Sequence, residues 1–263
     1  MPERVFVLGD SHVTALVHAI DRYGLKTPGG DSKFSAVYVE SGFLSRTFVL
    51  KLSNGQTILN PILLKVMADC GLYDRFGLQF LPAVADLVIG FGYAESHDFG
   101  FGGNFEGYRF ASALDASASD LRGEASDYLL PDEILCELLR PRVEPLFDGL
   151  RLLQAGGFNL SLMSGPPPHR DNNFILSCHP CGHINSPAVR RAIFYALHRV
   201  VRASAIRLNI EFIDGAKGFS DEDGFLKAEY ECDGVHGNPP YGRDMLMAMA
   251  QRREWTVVDS NSC

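Results

Sequence analysis

The chain has 263 residues, of which 46% are hydrophobic and 21% charged, and its formal net charge is -8. This composition is typical of a soluble globular protein, and the length is sufficient to bury a sizeable core. The acidic balance argues against a nucleic-acid partner, which normally requires a basic face, and no apolar run is long enough for a membrane span.

The start of the chain, MPERVFVLGD, leads directly into a strand pattern. It lacks the charged start, the long apolar core and the small-residue cleavage site of a signal peptide, so we expect a cytoplasmic protein. The cysteines are scattered, which favours reduced thiols over a disulfide framework. They are Cys70, Cys136, Cys178, Cys181, Cys232 and Cys263. We expect no cofactor, and the sequence leaves the oligomeric state open.

The first part of the chain alternates β-prone and helical patterns. In order, the predicted elements are a strand in RVFVLG (4–9), a helix over Ser11–Tyr23 closed by Gly24, a strand over Ser35–Glu40, a β-hairpin over about 46–60 and a strand over Ala85–Gly92. The hairpin is predicted because Asn54-Gly55 is a strong two-residue turn signal between β-prone arms. The apolar run before Gly92 is typical of a buried parallel strand.

A long segment over about 93–130, rich in Gly, Ser, Asp and aromatic residues, separates the two parts of the chain, and we interpret it as a lid-like loop. The predicted elements beyond it are a helix over 131–157 interrupted near Pro141 and Pro145, a strand over Phe158–Ser164 ended by three prolines, a helix over 186–206 capped by Ser186, a strand over Arg207–Asp214 and a last helix from Pro239 or Pro240.

This alternation predicts one domain over 1–263 of the α/β class, a three-layer α/β/α sandwich around a mostly parallel, flavodoxin-like five-stranded sheet. Ligands of such sheets bind at the carboxyl ends of the strands. Ser11, Gly42, Gly92 and Pro166 all fall at or just after predicted strand ends, so we expect them to meet at one edge.

Two short motifs at opposite ends of the chain carry the residue types of a nucleophilic triad. GDSH follows the first strand and contains Ser11, and DGVH precedes the last helix and contains Asp233 and His236. The spacing, with Gly234 between them, allows the carboxylate to reach the Nδ1 side of the imidazole. The acid would orient the histidine, the histidine would remove the serine proton, and the serine would attack a carbonyl.

In this order on an α/β chain, GDSH and DGVH resemble the motifs of the SGNH or GDSL hydrolase superfamily. SLMSGPPPHR (161–170) is similar to that family's proline-ended fourth strand. The resemblance implies that Ser11 is the nucleophile, His236 the general base and Asp233 its orienter. It also implies an oxyanion hole built from the backbone N–H groups of Ser11 and Gly42.

The family's third oxyanion donor is an asparagine in G-x-N-D, and here Ala94 occupies that position, followed by Glu95. We expect Asn104, in the lid-like loop, to replace it. Tyr93, Ser96 and His97 are the other possible donors. The expected contacts with the substrate are Asp10, His12, Tyr93 and His97.

The leading hypothesis is a serine esterase or O-acyltransferase that acts on a small-molecule or carbohydrate ester through an acyl-enzyme. The alternative, motivated by Ala94, is a catalytically weak or inactive binding protein on the same fold. A flavodoxin-like phosphate site after the first strand ranks last, because Asp10 would repel phosphate. CHPCGH (178–183) could supply zinc ligands, but an irregular loop is favoured and no metal site is predicted.

Overall fold

The computed structural model describes residues 4–27, 30–31, 33–39, 43–74, 79–81, 86–93, 96, 98, 108–110, 128–179, 183–253 and 256–259. Its strands are β1 Arg4–Gly9, β2 Tyr23–Thr27, β3 Gly30–Asp31, β4 Lys33–Tyr38, β5 Val49–Lys51, β6 Thr57–Leu59, β7 Tyr73–Asp74, β8 Gln79–Phe80, β9 Asp86–Phe91, β10 Tyr108–Phe110, β11 Tyr128–Leu130, β12 Leu160–Ser164, β13 Glu211–Ile213 and β14 Thr256–Asp259. Its α-helices are α1 Thr14–Arg22, α2 Phe43–Arg46, α3 Pro61–Asp69, α4 Asp132–Ala155, α5 Asn172–Cys178, α6 Pro187–Arg207 and α7 Pro239–Arg252.

The central sheet has five strands in the order β4-β1-β9-β12-β13, and every pairing within it is parallel. This is the flavodoxin-like order that the sequence predicts, because each crossover returns the chain to the same sheet. Gly9 pairs with Gly90, and Gly90 pairs with Met163. The carboxyl ends of three adjacent strands therefore lie side by side.

Side chains alternate between the two faces of the sheet, and each face carries its own buried cluster. Val5 and Val7 face the cluster formed with α1 and α7, while Phe6 and Leu8 face the cluster formed with α2, α3, α4 and α6. Both faces are apolar because helices cover both, as is usual for parallel sheets. The three-layer α/β/α architecture is therefore confirmed.

The helix α4 is continuous through Pro141 and Pro145, so the predicted interruption is wrong. A proline inside a helix costs about 3 kcal/mol, because it removes a hydrogen bond and its ring clashes with the preceding turn. The buried face of α4 compensates for this cost. Its members include Leu135, Leu139, Val143, Leu146, Phe147, Leu150 and Leu153.

Other boundaries also differ from the predictions. The helix α1 ends at Arg22 and β2 follows at once, so Gly24 does not close it. The helix α6 runs through Arg207, and β13 begins only at Glu211, because Asn209 adopts φ 53 and the N–H of Ile210 bonds back to the carbonyl of Ala205 at 2.9 Å. This left-handed cap ends the helix where the sequence predicts a strand.

Four further elements differ from the predictions. The predicted second strand is shifted to Lys33–Tyr38, and the fourth is shortened to Leu160–Ser164. Residues 172–178 form a helix in a stretch predicted as irregular loop. An antiparallel sheet of β14, β2 and β3 was not predicted at all.

The predicted hairpin is formed by β5 and β6, which pair antiparallel around a turn in which Gly55 adopts φ 83. Among the helices of the described residues, none has both the length and the apolar character needed to cross a lipid bilayer.

Candidate active site

Ser11 stands at the junction between β1 and the first helical segment. Asp10 caps a single 3-10 turn, Ser11–Val13, which leads into α1, and its Oδ1 accepts the N–H of His12 at 3.2 Å. Short polar side chains are favoured at such positions because they satisfy backbone N–H groups at a helix start. The result is a half-buried hydroxyl residue at the carboxyl edge of the sheet.

Asp10 is itself buried, and its second oxygen, Oδ2, accepts the N–H of Gly92 at 2.9 Å. Burial raises the pKa of Asp10 to about 6, although the hydrogen bonds from Gly92 and His12 and the nearby His236 act in the opposite direction. The carboxyl group therefore joins the ends of β1 and β9. Only 1% of Asp10 is exposed, and its contact with a substrate stays a prediction.

Gly92 is required by close packing at this point. A Cβ atom added there would lie 1.9 Å from Cδ2 of His12 and 2.4 Å from Oδ1 of Asp10. Both distances are shorter than real contacts allow, so only glycine lets these two side chains cross over the end of β9. His12 is also buried.

Asp233 and His236 form a compact unit just before α7. Oδ1 of Asp233 accepts the N–H groups of Val235 at 3.1 Å and His236 at 2.9 Å, and its Oδ2 lies 2.7 Å from Nδ1 of His236. Gly234 makes this turn feasible, because it adopts φ 85 and a Cβ there would lie 2.9 Å from Cα of Ile175.

The carboxyl group of Asp233 is strongly acidic. Burial raises its pKa, but the hydrogen bonds from the ring and the backbone of His236 outweigh burial and lower the pKa to about 2. An ionised carboxylate only accepts hydrogen bonds, so Nδ1 of His236 carries the proton between them. Nε2 is then the nitrogen that holds a free lone pair.

The two ends of the chain meet at this edge of the sheet. The ring centroids of His12 and His236 are 4.7 Å apart, and His236 lies near enough to Asp10 to act against the rise in its pKa. Since His12 is the next residue after Ser11, the imidazole of His236 lies beside the turn that carries the serine.

The hydroxyl of Tyr93 points to a different partner, His198, and the predicted roles of Tyr93 as substrate contact and oxyanion donor stay predictions. Its ring is fully buried, and its hydroxyl lies 3.0 Å from Nδ1 of His198. His198 in turn places Nε2 3.4 Å from Oδ1 of Asp214. Ser96 is also committed elsewhere, because its hydroxyl donates to the carbonyl of Tyr93 at 2.8 Å.

Three predicted site residues lie outside the described residues, namely Gly42, His97 and Asn104, as do Ala94, Glu95 and most of the lid-like loop. The same holds for Cys181 of the CHPCGH motif. Among the residues that the structure does describe, no group of three or more His, Cys, Asp or Glu side chains is arranged to hold a metal ion.

His169 is a site neighbour that sequence reasoning missed. It follows the three prolines after β12, and only 1% of it is exposed. Its Nδ1 lies 3.4 Å from Oε1 of Glu231, two residues before Asp233. The only sequence signal was its place near a predicted strand end, which does not distinguish a buried ring from an exposed one.

No protein-family model and no curated protein matches this chain. Solved structures with a similar fold include a GDSL-like lipase from Bacteroides thetaiotaomicron, 15% identical, TM-score 0.47, covering 96% of this chain and 88% of that one. Another is an aryl esterase from M. smegmatis, 16% identical, TM-score 0.45, covering 96% and 98%. A third is a carbohydrate acetylesterase family member from Sinorhizobium meliloti, 14% identical, TM-score 0.46, covering 95% and 96%. Likeness at this level carries no functional argument for this chain.

Proposed function

We propose that this chain is a serine esterase of the SGNH type, with Ser11 as the nucleophile, His236 as the general base and Asp233 as the group that orients the base. The observation that carries the proposal is the 2.7 Å contact between Nδ1 of His236 and Asp233, with the same imidazole set against the residue that follows Ser11. An acid–histidine pair that is far from the serine in sequence but close to it in space is the arrangement that acyl transfer by a serine requires.

The reaction proceeds in two halves. Oγ of Ser11 attacks the acyl carbon of the ester while its proton passes to Nε2 of His236, and Asp233 stabilises the imidazolium that forms. The bond to the alcohol breaks and the alcohol leaves with that proton. His236 then takes a proton from water or from another hydroxyl, whose oxygen attacks the acyl carbon. The bond between that carbon and Oγ of Ser11 breaks, and His236 returns the proton to Oγ as the acid or the new ester leaves.

The negative charge that forms on the carbonyl oxygen needs fixed donors. We assign this role to the backbone N–H groups of Ser11 and Gly42, with Asn104 as the third donor. Loss of one such donor costs about 2.7–4 kcal/mol in the transition state, so Asn104→Ala should lower kcat by roughly a hundred- to a thousand-fold with little change in stability. An unchanged kcat would exclude Asn104 from the oxyanion hole.

The proposed substrate is a small-molecule or carbohydrate ester, and we infer action in the cytoplasm. His12 and His97 are the proposed contacts with the substrate. Transfer to a sugar hydroxyl instead of water depends on which acceptor reaches the acyl-enzyme. The competing proposal is a binding protein that has lost the third oxyanion donor, which Ala94 motivates.

Hydrolysis of p-nitrophenyl acetate tests the proposal against its rival. Wild-type protein should release p-nitrophenol, and Ser11→Ala and His236→Ala should each remove nearly all of that activity, because triad members act as a unit. Ser53→Ala, at an exposed serine of the hairpin turn, is the matched control and should behave as wild type. Equal, low release by all four proteins would favour the binding protein.

A further inference from the structure

The buried imidazole of His169 lies beneath the segment that carries the proposed base. The segment Glu231–His236 holds Asp233 and His236, and Nδ1 of His169 lies 3.4 Å from Oε1 of Glu231 at its start. The ring also lies against that of Phe174, with centroids 5.9 Å apart. The ring of Phe174, the carboxylate of Glu231 and the backbone of His236 are thus close neighbours of this imidazole.

A buried guanidinium fixes the backbone of His169. Nη1 of Arg190, a residue that is 5% exposed, donates to the carbonyl of His169 at 2.7 Å. The same group donates to the carbonyl of Arg170 and to the side chain of Asn172. Arg190 therefore ties the turn after β12 to α6, which makes His169 part of a rigid support.

The ring of His169 is neutral where it stands. Burial lowers the pKa of His169 to about 4, although the backbone of His236 and the carboxylate of Asp233 act in the opposite direction. A neutral imidazole offers one donor and one acceptor without adding a charge beside Asp233. The imidazole of His169 is thus polar but uncharged at neutral pH.

The helix α5, which follows this turn, contacts the same segment at two more points. Ile175 packs where a side chain at Gly234 would stand, and Nε2 of His179 lies 3.9 Å from Oδ1 of Asp233. The stretch 169–179 therefore approaches the segment Glu231–His236 at three residues, His169, Ile175 and His179.

We propose that His169 is a positioning residue that holds the segment Glu231–His236 so that Nε2 of His236 meets Ser11, an inference that rests on the proposed function. In this role, His169 does not contact the substrate. A misplaced base slows proton transfer without weakening substrate binding, because small displacements of a catalytic group cost rate before they cost affinity.

The test compares His169→Phe, which removes both ring nitrogens at similar volume, with His169→Gln, which keeps a donor and an acceptor. His169→Phe should lower kcat for p-nitrophenyl acetate about tenfold and leave KM within about twofold. The rate of labelling by a fluorophosphonate should fall by about the same factor. His169→Gln should recover most of this loss, and His18→Gln, at an exposed histidine of α1, is the control.

Thermal unfolding of each variant shows whether it folds. If His169→Phe does not, Glu231→Ala tests the same contact from its partially exposed partner and should lower kcat about threefold at unchanged KM. A folded His169→Phe, or in its place a folded Glu231→Ala, with wild-type kcat and labelling rate would overturn the inference. Labelling that persists in Ser11→Ala would instead overturn the proposed function.

Discussion

Asp10 shows how a single buried carboxyl group can shape both the site and the stability of the protein. Its oxygens receive the N–H groups of His12 and Gly92, so it fixes the turn that carries Ser11. Its pKa lies above the ordinary value of 3.8, at about 6, so the fold binds this proton more tightly than the unfolded chain does. The contribution of Asp10 to stability is therefore fully present below about pH 3.8 and is lost as the pH rises through about 6.

This pH dependence predicts a measurable difference in stability between wild type and Asp10→Asn. The free energy of unfolding of the wild type minus that of the variant should fall by up to about 3 kcal/mol between pH 3.8 and 6 and then stay constant. Urea denaturation at a series of pH values measures it, and the subtraction cancels the other titrating groups. A difference that stays flat or rises with pH would contradict the raised pKa.

Gly92 provides a steric test of the same junction. In Gly92→Ala the new methyl group would collide with His12 and Asp10, so we expect unfolding to become easier by about 1–3 kcal/mol. The displaced turn should also lower kcat/KM roughly a hundredfold. Gly55→Ala is the control, because Gly55 has positive φ but no atom within 4 Å of its would-be Cβ.

The control should lose about 1–2 kcal/mol of stability from backbone strain and keep full activity. Thermal or urea unfolding together with the esterase assay separates the two effects. Full activity in Gly92→Ala would mean that the crossing of His12 and Asp10 over β9 does not position Ser11.

At the scale of elements, short-range patterns correctly predicted those helices and strands whose ends are set by turn and capping residues. Asn54-Gly55 predicted the hairpin, and Ser186 with Pro187 predicted the start of α6, where Oγ of Ser186 accepts the N–H of Val189. The failures have tertiary causes. The prolines of α4 are tolerated because its apolar face is buried, which a local rule does not see.

Because α4 is continuous, we can predict how replacing one of those prolines changes the stability of the protein. Pro141 is exposed, so Pro141→Ala removes the helix penalty of about 3 kcal/mol with little loss of packing. The alanine variant also gains freedom in the unfolded chain, which offsets about 0.4–1 kcal/mol, so the net stabilisation should be about 2 kcal/mol.

Pro61, exposed at the first turn of α3, is the matched control, because proline is favourable there. Pro61→Ala should destabilise by about 0.4–1 kcal/mol. The midpoints of urea denaturation of both variants measure these two changes in stability. A Pro141→Ala variant less stable than wild type would show that α4 does not bear the expected proline penalty.

At the scale of the whole molecule, the order of elements along the chain predicted the central sheet, since parallel strands joined by helices have few allowed arrangements. The pairing of β14 with β2 was not predicted, because no local pattern links strands so far apart in sequence. The candidate site likewise contains contacts that the sequence predicted and contacts that it did not predict. The Asp233–His236 spacing predicted their contact, whereas the burial of His169 depends on Arg190 and α5 from elsewhere in the chain.

We propose that the fold brings His236 to Ser11 and thereby makes that one serine nucleophilic. The most direct measurement is peptide mapping by mass spectrometry after reaction with a fluorophosphonate. We predict that the adduct lies on Ser11 in the wild type, and that the rate of its formation falls by orders of magnitude in His236→Ala. An adduct on another residue, or one that forms on Ser11 equally fast without His236, would contradict the account.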